Sequence, residues 1–257
     1  GKDPYDDTSC DLPSGSELSP SCSALTDEHI ASLKIAVPRQ FAQAKGLDPQ
    51  VASVFEKTKT WFIERGASIE LADLPVLDAS IASYYVIALS EAASNLSRFD
   101  GIRYGNRKDS GEGYDELFIQ TRSEGFGAEV KRRIVIGNYV LSEQFSGSCY
   151  KKAMSVRARI QRDIAKLYES YDCILCPTCP TAAFKLGQKT EDPMEMYLSD
   201  MFTVFVNLSR TASINVPAGF TSEGLPVGVQ FAGPMFSEKR LLSMAQAWYE
   251  RGNGGAK

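Results

Sequence analysis

Apolar residues recur along the chain with two different spacings, and the switch between them outlines an alternating α/β protein. Residues 1–30 show neither spacing. They are rich in Ser, Asp, Pro and Thr, which predicts an exposed polar linker or loop. Leu33–Val37 then reads as a short strand stopped by Pro38. Asp48 and Pro49 open a helix on which Val51, Val54, Phe55, Thr58, Phe62 and Ile63 fall at helical spacing until Gly66 ends it. Ala67–Leu71 is the next strand, so one apolar helix face meets a small sheet.

Residues 77–97 predict a largely apolar helix with small residues on it, which suggests burial between other elements. A Gly-rich polar stretch, Gly101–Gly113, separates it from a short helix over Glu116–Gln120 and two longer ones over Ala128–Ser142 and Tyr150–Glu169. Asp172–Leu175 reads as a buried strand ended by Cys176 and Pro177, and Pro193–Arg210 as one helix with Pro193 in its first turn. Two strands follow, Ala212–Val216 and Val227–Phe231, and Glu238–Tyr249 is a closing helix. The sum predicts an α/β fold with a mixed β-sheet flanked by helices. No internal repeat, heptad or low-complexity run interrupts it.

Composition narrows the function classes. A chain of 257 residues with 43% apolar content can bury a sizeable core. Lys and Arg total 28 against 32 acids, and the formal charge of −4 argues against binding nucleic acid by bulk electrostatics. No uninterrupted apolar run of about 18 residues occurs, and the acidic, turn-rich start does not read as a signal sequence. The expectation is a soluble cytoplasmic protein that does not engage a membrane. In that setting the six cysteines are expected to be free thiols rather than a disulfide framework.

A search for a complete catalytic set fails. The single histidine, His29, lies beside Asp27 and Glu28 in the polar leader, so a Ser-His-Asp or Cys-His engine is not expected. There is no G-x-S-x-G elbow, no phosphate-binding G-x-x-x-x-G-K-[ST] loop and no G-x-G-x-x-G after a strand. Cys173, Cys176 and Cys179 form a C-x2-C-x2-C run, but the ferredoxin pattern puts its fourth ligand at Ala183. A zinc site would need a distant fourth ligand. If Cys173 and Cys176 share a strand, they also face opposite sides. The run is therefore read as structural thiols, with a cysteine-ligated metal protein kept as a rival.

Five segments carry a resemblance: Tyr84–Gly105 (YYVIALSEAASNLSRFDGIRYG), Arg122–Gly127 (RSEGFG) running into VKRRI at Val130–Ile134, Tyr197–Thr203 (YLSDMFT), Val216–Gly219 (VPAG) and Gly224–Gln230 (GLPVGVQ). Together they resemble the amidase-signature family, in its branch of A subunits of glutamyl-tRNA(Gln)/aspartyl-tRNA(Asn) amidotransferases. The match runs from residue 1 to about residue 250. It implies that residues 31–250 are the carboxy-terminal half of a single amidase-signature domain, with 251–257 a flexible tail. The family's catalytic Ser, bridging Ser and Lys belong to a segment preceding the part similar to Gly1–Cys10. None is therefore expected in this chain, and the chain alone is expected to be inactive.

The resemblance implies a glutamine-binding role for Tyr84, Arg133 and Asp200. The chemistry suits them: a guanidinium can hold the α-carboxylate of glutamine bidentately, a carboxylate its ammonium, and a tyrosine can pack against it. Taken alone, each residue also suits a bland position: Arg133 in a basic triplet, Asp200 on a helix surface, Tyr84 in a core. The implied parent enzyme releases ammonia from glutamine for amidation of Glu-tRNA(Gln) or Asp-tRNA(Asn). The resemblance also implies B and C subunits as partners, tRNA reached through the B subunit, and ATP and Mg used there; no cofactor is expected in this chain. A stand-alone amidase and a non-catalytic interaction fragment are the alternatives. One departure stands out: Ser209, Arg210 and Thr211 occupy the stretch where the family usually has a small, turn-forming residue.

Overall fold

The computed structural model describes residues 2–12, 22–108, 111, 113–142, 148–188 and 193–252. They divide into two compact units, one built from Gly1–Ile81 and Arg159–Lys257, the other from Ala82–Ala158. Reading residues 31–250 as part of one domain does not anticipate this division.

The first unit holds a five-stranded sheet ordered β2-β1-β3-β5-β4, from β1 (Lys34–Pro38), β2 (Ser68–Ala72), β3 (Cys173–Pro177), β4 (Ala212–Phe220) and β5 (Pro226–Gly233). β2, β1 and β3 run parallel, and β5 is antiparallel to both β3 and β4. The sheet is thus mixed and flanked by helices, as the α/β pattern predicts.

Helix α3 (Pro49–Glu64) connects β1 to β2. Asp48 caps it by accepting the Gln50 N–H at 2.7 Å, and Pro49 fills the first turn, where no N–H is needed. Its buried stripe of Val51, Val54, Phe55, Thr58, Trp61 and Phe62 packs on the sheet face formed by Ile35, Val37, Cys173, Leu175, Val229 and Phe231. The chain leaves through Gly66 at φ +90°, where a β-carbon would lie 2.9 Å from that of Ala31. Helix α10 (Glu238–Ala247) shares this core through Leu241, Met244, Ala245 and Ala247.

Strand alternation turns Ala36, Ile174, Cys176 and Gln230 to the other face, where all four are buried. That face is covered by Phe41 of α2 (Arg39–Ala42) and by Phe202, Phe205 and Leu208, the last two on α9 (Val204–Ser209). The Phe41 ring meets Phe202 edge-on at 5.1 Å and Phe205 at 5.3 Å.

Three expectations are corrected here. The polar leader is not all linker: α1 (Asp27–Ala31) starts at a Thr26 cap, fully buries Ile30, and is preceded by a Leu25 N–H bond to the Ser243 carbonyl. A single turn with one apolar contact has no period to read. Residues 13–21 of that leader lie outside the described residues. The tail expected at 251–257 does not include Arg251 and Gly252, because both belong to the helical turn Trp248–Gly252, and Arg251 pairs with Asp27 at 2.6 Å and donates to the Leu25 carbonyl; residues 253–257 lie outside the described residues. Finally, Pro193–Arg210 is two helices, α8 (Pro193–Leu198) and α9, parted by a turn over residues 199–203.

The second unit contains most of α4 (Ser80–Leu96), with α5 (Tyr114–Gly125), α6 (Ala128–Leu141) and the start of α7 (Ser148–Leu167). α4 and α6 approach at Gly137, where a β-carbon would lie 2.1 Å from the Leu89 carbonyl oxygen. Arg122 of α5 caps the end of α4, donating to the Leu96 and Phe99 carbonyls at 2.8 and 3.2 Å while stacked between Phe118 and Phe126. The Asp100 carboxylate accepts the Ile102 and Arg103 N–H groups, and these backbone bonds hold its pKa below the ordinary value. Two conspicuous sequence motifs, RFDGIRYG and RSEGFG, are thus spent on bracing one another. By length and composition Pro75–Leu96 could cross a membrane, a property shared with core helices of soluble proteins; 44% of its most apolar window is buried.

Candidate functional site

In open α/β sheets, ligands sit outside the carboxyl ends of strands, where chain direction changes. Here that place is the end of β3, which has parallel β1 on one side and antiparallel β5 on the other. The loop leaving β3 is clamped there. Thr178 donates its N–H to the Gly228 carbonyl at 3.1 Å and its hydroxyl to Asn215 Oδ1 at 3.0 Å, and the Pro180 carbonyl accepts the Asp48 N–H at 2.9 Å. The fit needs glycine at 228, because a β-carbon there would come 2.9 Å from Thr178 Oγ1.

Two clefts open on this loop and share Thr181. One, of about 380 Å³, is lined by Val51, Thr178, Cys179, Thr181, Asn215 and Gly228 among others. The second, of about 280 Å³, is lined by Lys45, Pro180, Thr181, Leu198, Ser199 and Met201. A larger hollow of about 530 Å³ lies elsewhere, between α3, Phe220 and Trp248, and the end of β3 contributes nothing to it.

Asp200 is exposed and lies in the chain between Ser199 and Met201, both of which line the second cleft, while Asp200 itself is not part of that lining. Its N–H bonds the Tyr197 carbonyl at 3.1 Å, and its own carbonyl accepts from Thr203 N, Val204 N and Thr203 Oγ1 at 2.9, 3.1 and 3.0 Å. These local bonds compete with regular helix, which is why α8 does not run on into α9. Beneath the turn lies Phe202, fully buried, whose carbonyl accepts Gln230 Nε2 at 2.9 Å. Gln230 is 1% exposed, pairs across the sheet with Cys176 and Asn215, and also donates to Cys176 Sγ at 3.4 Å.

Tyr84 and Arg133 belong to the Ala82–Ala158 unit and Asp200 to the sheet unit, so the three expected site residues are divided between the two. Tyr84, on α4, is half-buried, with its ring edge-on to Tyr85 at 5.3 Å. Arg133, on α6, donates through Nε to Glu129 Oε1 at 3.1 Å, while the other oxygen of Glu129 takes Arg132 at 3.0 Å. The Arg133 side chain is 48% exposed, so this pair is screened, worth about 0.3–0.5 kcal/mol, and readily exchanged for another carboxylate.

The cysteine run does not converge. Cys173 lies in the core under α3, Cys176 faces the opposite side against Gln230, and Cys179 is exposed in the loop beyond. Burial pushes the Cys176 thiol up to about 12, although the Gln230 amide pulls it back. Cys173 is raised by burial and then by the Asp172 carboxylate. Burial thus favours the protonated thiol over the reactive thiolate at both positions. His29 is exposed and paired with Thr26 Oγ1 at 2.8 Å.

Sequence reasoning passed over Gln230. Its signal was an amide-bearing residue inside the apolar strand Val227–Phe231, where an uncharged polar side chain must find partners if it is buried.

The sequence profile of the family described as Amidase matches residues 1–242. The protein named as the A subunit of glutamyl-tRNA(Gln) amidotransferase from Treponema denticola is 56% identical over 251 residues, covering 98% of this chain and 51% of that protein. The protein of the same name from Treponema pallidum is 43% identical over 253 residues, covering 97% and 50%. The crystal structure of the A subunit of glutamyl-tRNA(Gln) amidotransferase from Thermotoga maritima superposes with a TM-score of 0.71 at 32% identity, covering 98% of this chain and 48% of that one. The chain spans about half the length of the curated relatives it matches.

Proposed function

The chain belongs to the amidase family, and from that premise we propose that the protein is the glutamine-hydrolysing A subunit of a tRNA-dependent amidotransferase. The observation that carries this reading is the 56% identity, over 98% of the chain, to a protein named as the A subunit of such an enzyme. In this reading the parent enzyme releases ammonia from glutamine for amidation of Glu-tRNA(Gln) or Asp-tRNA(Asn). The B and C subunits are its partners, and the B subunit handles tRNA and uses ATP and Mg.

The described residues contribute recognition of the remote end of glutamine. Arg133 takes the α-carboxylate in exchange for Glu129, Asp200 takes the ammonium, and Tyr84 packs against the bound amino acid. Holding that end fixes the direction in which the side-chain amide points, which is a contribution of positioning rather than bond-breaking. The serine nucleophile, its bridging serine and the lysine are supplied by the part of the relatives' length that this chain does not span.

The test uses the full-length protein assembled with its partners. Ammonia release is measured from glutamine and from butyramide, which has the amide but neither the α-carboxylate nor the ammonium. We expect glutamine to be favoured by on the order of 100-fold in kcat/KM, since each charged contact is worth about 1.5–3 kcal/mol. Equal use of the two amides would make the protein a general amidase. No turnover of either would leave a non-catalytic interaction role.

A further inference from the structure

We propose that Gln230 is a positioning residue for the amino end of the substrate: through the Phe202 carbonyl it fixes the turn that presents Asp200. The proposal rests on the reading of Asp200 as the ligand of the glutamine ammonium. Gln230 sits on β5 among Val229, Phe231 and Ala232, all fully buried, and is itself 1% exposed. A buried primary amide is costly unless its hydrogens are used, and an aliphatic side chain would fill the same space without that cost. The hydrogens of Gln230 are used on Phe202 O at 2.9 Å and Cys176 Sγ at 3.4 Å.

The first of these bonds has a directional consequence. The turn over residues 199–203 is held together by bonds to the Asp200 carbonyl, which shape it locally but do not attach it to the sheet. Attachment runs through Phe202, by its ring against Phe41 and by its carbonyl, which takes the Gln230 amide at 2.9 Å and, more weakly, the Cys176 thiol at 4.0 Å. The ring contact is apolar and tolerates sliding. The hydrogen bond sets height and rotation, two residues from the Asp200 carboxylate. A carboxylate that must meet an ammonium while the amide meets a nucleophile several bonds away tolerates little displacement, because misplacement of about 1 Å can cost on the order of 100-fold.

The experiment is a double-mutant cycle in the assembled full-length enzyme, using Gln230→Met, which keeps length and removes the donors, and Asp200→Asn. We expect Gln230→Met to raise KM for glutamine about tenfold with kcat within about threefold, and to change KM less than about twofold in the Asp200→Asn background. Thermal midpoints accompany each variant. Should Gln230→Met fail to assemble, Gln230→Asn retains the amide but is too short to reach the carbonyl, and the same KM rise is expected. An unchanged KM, or a tenfold rise that persists in the Asp200→Asn background, overturns the proposal. If Asp200→Asn raises KM while Gln230→Met does not, Gln230 alone is misassigned. If Asp200→Asn leaves KM unchanged, the ligand role of Asp200 fails first, and the role of Gln230 fails with it.

Discussion

Arg210 ends α9 in the left-handed region, at φ 59° and ψ 42°, with its N–H bonded to the Val206 carbonyl. That conformation costs a residue with a β-carbon about 1–2 kcal/mol and glycine almost nothing. Replacing Arg210 with Gly is therefore expected to stabilise the protein by about 1 kcal/mol, read as a rise in urea midpoint at unchanged m-value. A lower midpoint would mean that the guanidinium contributes more than the backbone loses. The Glu129 pair offers a second test at this scale. Glu129→Gln removes the carboxylate that occupies Arg133 and is expected to lower KM for glutamine about twofold, in keeping with the small worth of an exposed helix pair.

Cys176 supplies a test in pH. Burial raises its thiol from an ordinary value near 9 to about 12, so between those limits the folded chain binds more protons than the unfolded one. Stability from this group is complete below about pH 9 and is lost as pH rises towards 12, by up to about 1.4 kcal/mol per unit. Comparing urea midpoints at about pH 7 and about pH 10.5, Cys176→Ala should lose less than the wild type; parallel losses would contradict the burial argument. Little at this scale was readable from spacing. Arg133 and Asp200 look like surface charges in a bare sequence, and only resemblance singled them out. The unusual Arg210 was visible, but its meaning needed the backbone angle.

At the scale of elements the sequence was more informative. The Asp48–Pro49 start of α3, its Gly66 stop and most of its stripe lie where the apolar period places them, because each depends on neighbours within a turn or two; the exception is Ile63, expected in the stripe but 51% exposed, with Trp61 buried instead. The break between α8 and α9 was not legible. It depends on Thr203 donating its N–H and its hydroxyl to the Asp200 carbonyl and on a contact to Gln230, which is 28 residues away from Phe202. The approach of α4 to α6 at Gly137 is likewise a tertiary fact. Gly137→Ala would set a methyl 2.1 Å from a backbone oxygen, so one helix must move. We expect a loss of about 3 kcal/mol, at the upper end of overpacking costs, measurable in denaturant unfolding. A loss under about 0.5 kcal/mol would show that α4 and α6 part easily.

For the whole molecule, the mixed sheet and its two helical faces follow from the alternation of patterns, whereas the division into two units does not, since no composition shift marks residues 82 or 158. The chain spans about half of its curated relatives, and the proposed division of labour follows that boundary: recognition lies on this side and the nucleophile on the other. The 257-residue chain alone is accordingly expected to release no ammonia from glutamine, and turnover by the purified chain would refute that division. The central claim is that Arg133 selects the substrate by its carboxylate. Steady-state glutamine hydrolysis by the assembled full-length enzyme carrying Arg133→Ala tests it most directly. The account predicts a fall in kcat/KM of on the order of 100-fold, carried mainly by KM; a kcat/KM equal to that of the wild type would contradict it.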